Sequence, residues 1–258
     1  MSDKVKVVVG TLIYRQGAYI LDKFLANQKE IQQEYLSSEL ILATNEIDFV
    51  ADLERAVSNY GLKGRVITYE TVKPDYARSR VWNVACGREA LRQYVLSQTD
   101  AQYFLSIDAD MVCETAIIKI LKEKIRGYDV VFNGCPIRGY GVGLCGAGCM
   151  MLSRNILEKV KFRCIEFKNG DVMFEDNLLE MDLFKQRAKT KKGFFLHCSH
   201  YKNETEARRI APQPIGMHRI LTTSSFFRYL LICSSIVVKR NIPWRLKTFT
   251  DRLHGETW

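Results

Sequence analysis

The sequence predicts an α/β protein: a mostly parallel sheet flanked by helices, followed by a C-terminal helical extension. Three observations carry this. Runs of strand character alternate with runs of helical periodicity along the first part of the chain. The first of them, KVKVVVGTLI (Lys4–Ile13), is almost continuously apolar, as a strand covered on both faces should be. The fourth strand-like run ends in two aspartates, Asp108 and Asp110, where open parallel sheets bind their ligands, beyond the carboxyl ends of the strands.

The elements follow in order. After Gly17, residues Ile20, Leu21, Phe24, Leu25, Ile31 and Tyr35 recur near helical spacing and predict a first helix. ELILATNE (Glu39–Glu46) is a short second strand, and DFVADLERAVSNYG a second helix stopped by Gly61. RVITYE (Arg65–Glu70) reads as a third strand, Tyr76–Gln98 as a long helix, and FLSID as the fourth strand. Thr11, Glu46 and the Asp108/Asp110 pair all lie at strand ends, so they are expected to meet in one crevice. Tyr128–Ile137 reads as another strand. The stretch RGYGVGLCGAGCMMLS behind it, with glycines at 139, 141, 143, 146 and 148, reads as a loop that comes close to something. Phe174–Ala188 is a helix, and KKGFFLHCSH a strand ending in His200.

A chain of 258 residues suffices for a sizeable core, and 47% hydrophobic with 26% charged residues is ordinary for a globular protein. The net charge of +9 points to an anionic partner. Ten Lys/Arg against four Asp/Glu over residues 201–258 place +6 of it at the C-terminal end. A division into residues 1–205 and a basic extension, 206–258, is therefore expected. Within the extension, FFRYLLICSSIVV (Phe226–Val238) is too short to span a bilayer and carries Arg228. A helix lying on an anionic membrane surface and a helix packed on the core both fit it. Eight scattered cysteines without a C-x-x-C read as reduced, buried thiols, and MSDKVKVVVG lacks the apolar run of a signal peptide. The expected location is cytoplasmic, with peripheral contact to a membrane.

Three motifs carry chemistry. The D-x-D of Asp108 and Asp110 sets two carboxylates close enough to repel unless a cation accompanies them, and hard oxygen ligands suit Mg²⁺ or Mn²⁺ bridging a diphosphate. F-E-D opens an apolar helix with Glu175 and Asp176: acidic residues favour a helix N-terminus, and a carboxylate fixed there can also take a proton from an acceptor hydroxyl. In HCSH, His200 at the strand end is favoured over His197 as a further metal ligand. Two other patterns fail. Gly141-x-Gly143-x-x-Gly146 lies mid-chain, followed by an extended rather than helical segment, so it is no dinucleotide fingerprint. Cys145 and Cys149 match no standard zinc spacing.

Taken in order, "GTLIYRQ", "YARSR", "IDAD", "GAGCMM", "FED" and the terminal histidine give the chain a resemblance to the GT-A fold glycosyltransferases, and it is similar to the large family 2 of inverting enzymes. The resemblance runs from Val5 to His200. It implies a Rossmann-like GT-A sheet and a nucleotide-sugar donor held by the first strands and the D-x-D. It makes Thr11 and Tyr14 the first donor loop, Glu46 the acidic residue after the second strand, and Arg78 the arginine of an A-R-N-like stretch. Gly146 to Gly148 match the turn beside the donor sugar, and Asp176 the catalytic base. "ATNEID" departs from the family's D-D-G-S-like turn, and Thr11 stands where proline is common. No Q-x-x-R-W follows near the C-terminus, which argues against a processive polysaccharide synthase.

The expected function is a metal-dependent glycosyltransferase. It moves a sugar from a nucleotide-diphosphate donor to a hydroxyl of a glycan or glycolipid acceptor, with inversion. Mn²⁺ or Mg²⁺ is expected at Asp110 and His200, with Asp108 contacting the metal or the donor ribose. A nucleotidyltransferase would show a Gly-rich basic loop after the first strand, and VVVGTLIYRQGAY does not look like one. A non-enzymatic nucleic-acid-binding protein is permitted by charge alone, but the core holds no aromatic-and-basic motif for it, so no nucleic acid is expected as partner.

Overall fold

The computed structural model describes residues 6–71, 79–136, 142–143, 148–167, 170–194, 196–207 and 224–241. Strands β1 (Val7–Leu12), β2 (Ser38–Thr44) and β3 (Gly64–Thr68) pair in parallel, and β4 (Tyr103–Ile107) joins the other side of β1 in the same direction. The connections are α1 (Leu21–Glu34), α2 (Val50–Asn59) and α3 (Ser79–Gln98), with a 3₁₀ turn, Arg15–Ile20, before α1. Parallel neighbours need such crossovers, and the alternation in the sequence reported them.

The second half is less regular. It contains β5 (Met111–Cys113), α4 (Ile117–Lys124), β6 (Val130–Asn133), and the two-residue strands β7 (Cys135–Pro136) and β8 (Val142–Gly143). After these come β9 (Cys149–Ser153), α5 (Arg154–Leu157), β10 (Ile165–Glu166), β11 (Val172–Met173) and α6 (Glu175–Lys185). β12 (Thr190–Phe194), β13 (Cys198–His200) and α7 (Ser225–Asn241) complete it. The central sheet has seven strands in the order β12-β6-β9-β4-β1-β2-β3. Within it β9 runs antiparallel to both neighbours, and the other pairs are parallel.

Side-chain alternation sorts the sheet's two faces. Val7, Val9, Leu40, Leu42 and Leu105 meet Phe24 and Leu25 of α1, Leu53 of α2 and Ile118 of α4. Val8, Ile41 and Phe104 meet Leu91 and Val95 of α3, Ile156 of α5 and Leu179 of α6. Gly10 is required by packing: a Cβ there would run into the Phe104 ring.

Two sequence expectations need correction, and two features go beyond what was read. The glycine-rich stretch is not a loop throughout: within the segment after Gly146, read as extended, Cys149–Ser153 enters the middle of the sheet as a buried strand. KKGFFLHCSH is two strands rather than one: β12 extends the central sheet, whereas β13 pairs antiparallel with β5. Helix α4, with Ile117, Ile118 and Leu121 buried, was not anticipated. Arg228, in a helix for which a membrane surface and the core were both open, points into the protein. Its guanidinium donates to Glu180 Oε2 at 3.0 Å and to Asn177 at 3.1 Å, beside the buried Lys192–Glu180 pair at 3.0 Å.

Helix α7 therefore has two dissimilar faces. Arg228, Tyr229, Ile232 and Ile236 pack against α6 and its surroundings, with Tyr229 stacked on Phe184 at 4.4 Å. Phe226, Phe227, Leu230, Leu231, Val237 and Val238 are exposed. Among the described residues no helix is long and apolar enough to cross a membrane.

Candidate active site

The candidate residues lie at the carboxyl edge of β1, β2 and β4, the edge at which open parallel sheets bind ligands. Just beyond β1, Tyr14 makes a 2.7 Å hydroxyl–hydroxyl bond to Tyr69, which follows β3. Burial pushes the Tyr14 phenol up to about 12, so it stays a neutral donor at physiological pH. At the end of β2, Glu46 accepts a 2.6 Å hydrogen bond from the Arg15 N–H, joining the loops behind β1 and β2. Thr11 is 1% exposed, and its hydroxyl has no hydrogen-bond partner.

At the end of β4, the chain turns on a bond from Met111 N–H to Asp108 C=O (3.1 Å) and starts β5. The β5–β13 ladder sets His200 opposite Met111, one residue from Asp110. As a result His200 Nε2 lies 2.9 Å from Asp110 Oδ1, with His200 7% exposed. Two residues ninety positions apart, both expected as metal ligands, are thus side by side. The carboxylate suits Mn²⁺ or Mg²⁺, whereas the imidazole nitrogen suits a softer divalent ion, so of these two the pair fits Mn²⁺ better than Mg²⁺.

Asp108 is held differently. Its Oδ1 accepts a 2.8 Å bond from Arg88 Nη2, and its backbone N–H donates to Gly148 C=O at 2.9 Å. A Cβ on residue 148 would stand 2.7 Å from Asp108 Oδ2, so this glycine is demanded by close approach.

Arg88 organises the site, and sequence reasoning missed it. It sits on the inner face of α3 in line with Ala85, Leu91, Arg92 and Val95, all buried. Its other terminal nitrogen donates to Glu175 Oε1. Burial works against its charge, but Asp108, Glu175 and Asp176 together outweigh that and raise its pKa. The signal was present: a charged residue on a buried helical stripe must have a partner, and carboxylates stood nearby in the motifs.

Glu175 and Asp176 begin α6, where the helix dipole favours their charge. Burial nevertheless pushes the Glu175 carboxyl up to about 7; Arg88 opposes this, and the neighbouring Asp176 charge adds to it. Asp176 is also raised by burial, with the Asn177 N–H, bonded to Oδ1 at 2.7 Å, pulling the other way. The edge therefore holds an Asp110–His200 pair and an Asp108–Arg88–Glu175 bridge, with Asp176 within the electrostatic reach of Arg88. Carboxylates with raised pKa values beside a fixed cation are equipped for proton transfer. Arg78 and Gly146 lie outside the described residues.

No protein-family model matches the chain, and no curated protein does. Solved structures do match in fold. Residues 1–349 of S. aureus TarS are 16% identical over 94% of this chain and 68% of that one, with a TM-score of 0.50. The same region in complex with UDP is 14% identical over 98% of this chain and 73% of that one, again at a TM-score of 0.50. The longer S. aureus TarS structure is 15% identical over 94% of this chain but only 41% of its own length, with a TM-score of 0.50. The shared feature is the architecture: an α/β, GT-A-type fold, as the sequence led one to expect.

Proposed function

We propose that the protein is a nucleotide-sugar-dependent glycosyltransferase that transfers a sugar, with inversion, to a hydroxyl of a glycan or glycolipid acceptor. The observation that carries the reading is the Asp110–His200 pair on the turn after β4 of a GT-A-type sheet, with Asp108 on the same turn bridged through Arg88 to Glu175. The structural neighbour's complex with UDP supports a nucleoside diphosphate as part of the donor.

In this reading Tyr14 and Glu46 border the donor site, and Asp108 contacts the ribose or the metal. Mn²⁺ or Mg²⁺, held by Asp110 and His200 with Asp108, would neutralise charge on the departing diphosphate. Asp176 accepts the proton of the acceptor hydroxyl, and its raised pKa brings it nearer the range of an effective base. Glu175 and Arg88 keep the neighbouring charges in place. Attack from the side opposite the diphosphate inverts the anomeric centre. The exposed apolar face of α7 favours an acceptor at a membrane surface, because a helix so oriented can lie in the headgroup region without spanning.

The test is a panel of nucleotide sugars incubated with the protein and Mn²⁺ or Mg²⁺. Slow, metal-dependent release of a nucleoside diphosphate from one donor is expected; no release from any donor, with no diphosphate binding by calorimetry, would sink the proposal.

A further inference from the structure

Behind the Asp110–His200 pair three thiols meet. Cys113 on β5, Cys149 at the start of β9 and Cys198 on β13 have their sulfurs within 4.8 Å of one another, and all three residues are buried. The chemistry proposed above uses none of them. Cys113 and Cys198 stand directly opposite on the antiparallel ladder, with Sγ atoms 2.9 Å apart. The ladder's backbone bonds fall at Glu114 N–H to His197 C=O and Tyr201 N–H to Asp110 C=O. Counting by alternation from these, the Cys113/Cys198 pair occupies a non-hydrogen-bonded position. There Cα atoms approach to about 4.5 Å, inside the roughly 4.4–6.8 Å that a disulfide spans.

Two buried asparagines hold the strands in register at this point. Asn27 accepts from the Cys113 N–H at 2.8 Å and donates to its C=O at 2.7 Å. Asn133 donates to Cys198 Sγ at 3.4 Å and accepts from the Leu196 N–H at 2.7 Å.

We propose that Cys113 and Cys198 are a disulfide-forming pair, whose bond ties the strand carrying His200 to the strand that follows Asp110. A thiophilic metal is the competing occupant. Three thiolates around a divalent ion would bury a net negative charge, against which Asn133 offers one amide N–H. A disulfide in the same place is neutral, and burial of an uncompensated charge is costly. The step needs a small disulfide as oxidant, such as glutathione disulfide, acting while β13 is undocked. One cysteine thiolate attacks it and releases a glutathione thiolate. The second cysteine thiolate then displaces the other glutathione, so two thiols are oxidised, one glutathione disulfide is reduced, and the two protons pass to the released thiolates.

The test incubates the natively purified full chain with glutathione disulfide in urea just sufficient to open β13, then alkylates, digests and maps peptides by mass spectrometry. Reduced glutathione is the control. A Cys113–Cys198 linked peptide is expected, absent in the control and retained in Cys149→Ser. Amide exchange at Ser199 and Tyr201 should slow several-fold in the oxidised protein. Three alkylated thiols after oxidation, or a link through Cys149, would overturn the pairing. So would one equivalent of zinc or copper that copurifies with the reduced protein and shields all three thiols. A linked protein with unchanged exchange would overturn the claim that the bond secures the His200 strand.

Discussion

Replacing Arg88 with methionine tests whether one guanidinium holds the candidate site together. Arg88 is 6% exposed and donates to Asp108 Oδ1 at 2.8 Å and to Glu175 Oε1. Methionine keeps much of the stem's volume and removes the charge. Glu175, also 6% exposed, is then left buried without its partner. Breaking a buried ion pair from one side costs about 3–5 kcal/mol. The loss should depend on pH, and its sign follows from Glu175. With Arg88 present the folded-state pKa is already about 7, against 4.5 for the free side chain. Without the opposing cation it rises further, so the native variant binds this proton over a wider range than the parent does.

Below the unfolded value both states are protonated and no anion is buried. As pH climbs through the folded value that advantage is lost, at about 1.4 kcal/mol per pH unit for one proton. Urea denaturation followed by circular dichroism, at about pH 5.5 and about pH 8, reads this out. The variant should lose about 3–5 kcal/mol at the higher pH and about 1.4 kcal/mol less than that at the lower one. An equal loss at both pH values would refute the role given to Glu175. A loss below about 1 kcal/mol at the higher pH would refute the role given to Arg88.

Other changes separate the remaining parts of the site. Asp176→Asn should leave nucleoside-diphosphate affinity almost unchanged while transfer drops roughly a hundred- to ten-thousand-fold, compared by calorimetry and product assay; near-parent transfer would move the base to Glu175. Asp110→Ala and His200→Ala should each remove Mn²⁺-dependent donor binding, and a variant that binds with the parent's metal dependence argues against those ligands. Gly148→Ala pushes a methyl group to 2.7 Å from Asp108 Oδ2, so it should destabilise by about 1–3 kcal/mol and weaken donor binding as well. In cosedimentation with anionic vesicles, Phe227→Asp with Leu231→Asp should release the protein without changing its melting temperature, since both side chains are exposed. Equal pelleting of parent and variant would exclude that face.

Much of the fold was legible because its signals are local. Parallel strands buried on both faces leave continuous apolar runs such as VVVGTL and SELILAT, and crossover helices leave periodic ones. The positions of Glu46 and Asp108 just past β2 and β4 followed from topology, whereas Thr11, expected at a strand end, is buried within β1. What escaped notice depended on pairing across distance. Whether CMMLS lies in a loop or enters the sheet is decided by its neighbours β4 and β6, not by its own five residues. KKGFFLHCSH divides into two strands because its first half finds β6 and its second half β5, a choice its composition does not encode.

The same distinction explains the D-x-D. Read along the chain, Asp108 and Asp110 repel one another, and a cation is the natural remedy. In the folded protein each has a different protein partner: Arg88 from α3 for Asp108, and His200 from β13 for Asp110. The Arg88 cation already offsets part of the repulsion before any metal enters. A metal ion at this edge must therefore compete with Arg88 for Asp108 and take His200 out of its bond to Asp110. Its affinity then depends on how far Glu175 draws Arg88 away. Because Glu175 ionises near neutrality, raising the pH through that range strengthens its hold on Arg88 and frees Asp108 for the ion. Mn²⁺ binding should accordingly tighten between about pH 6 and about pH 8 by more in the parent than in Glu175→Gln, measured by calorimetry. Equal pH dependence in the two proteins would mean that Glu175 does not govern it, and that Arg88 does not compete.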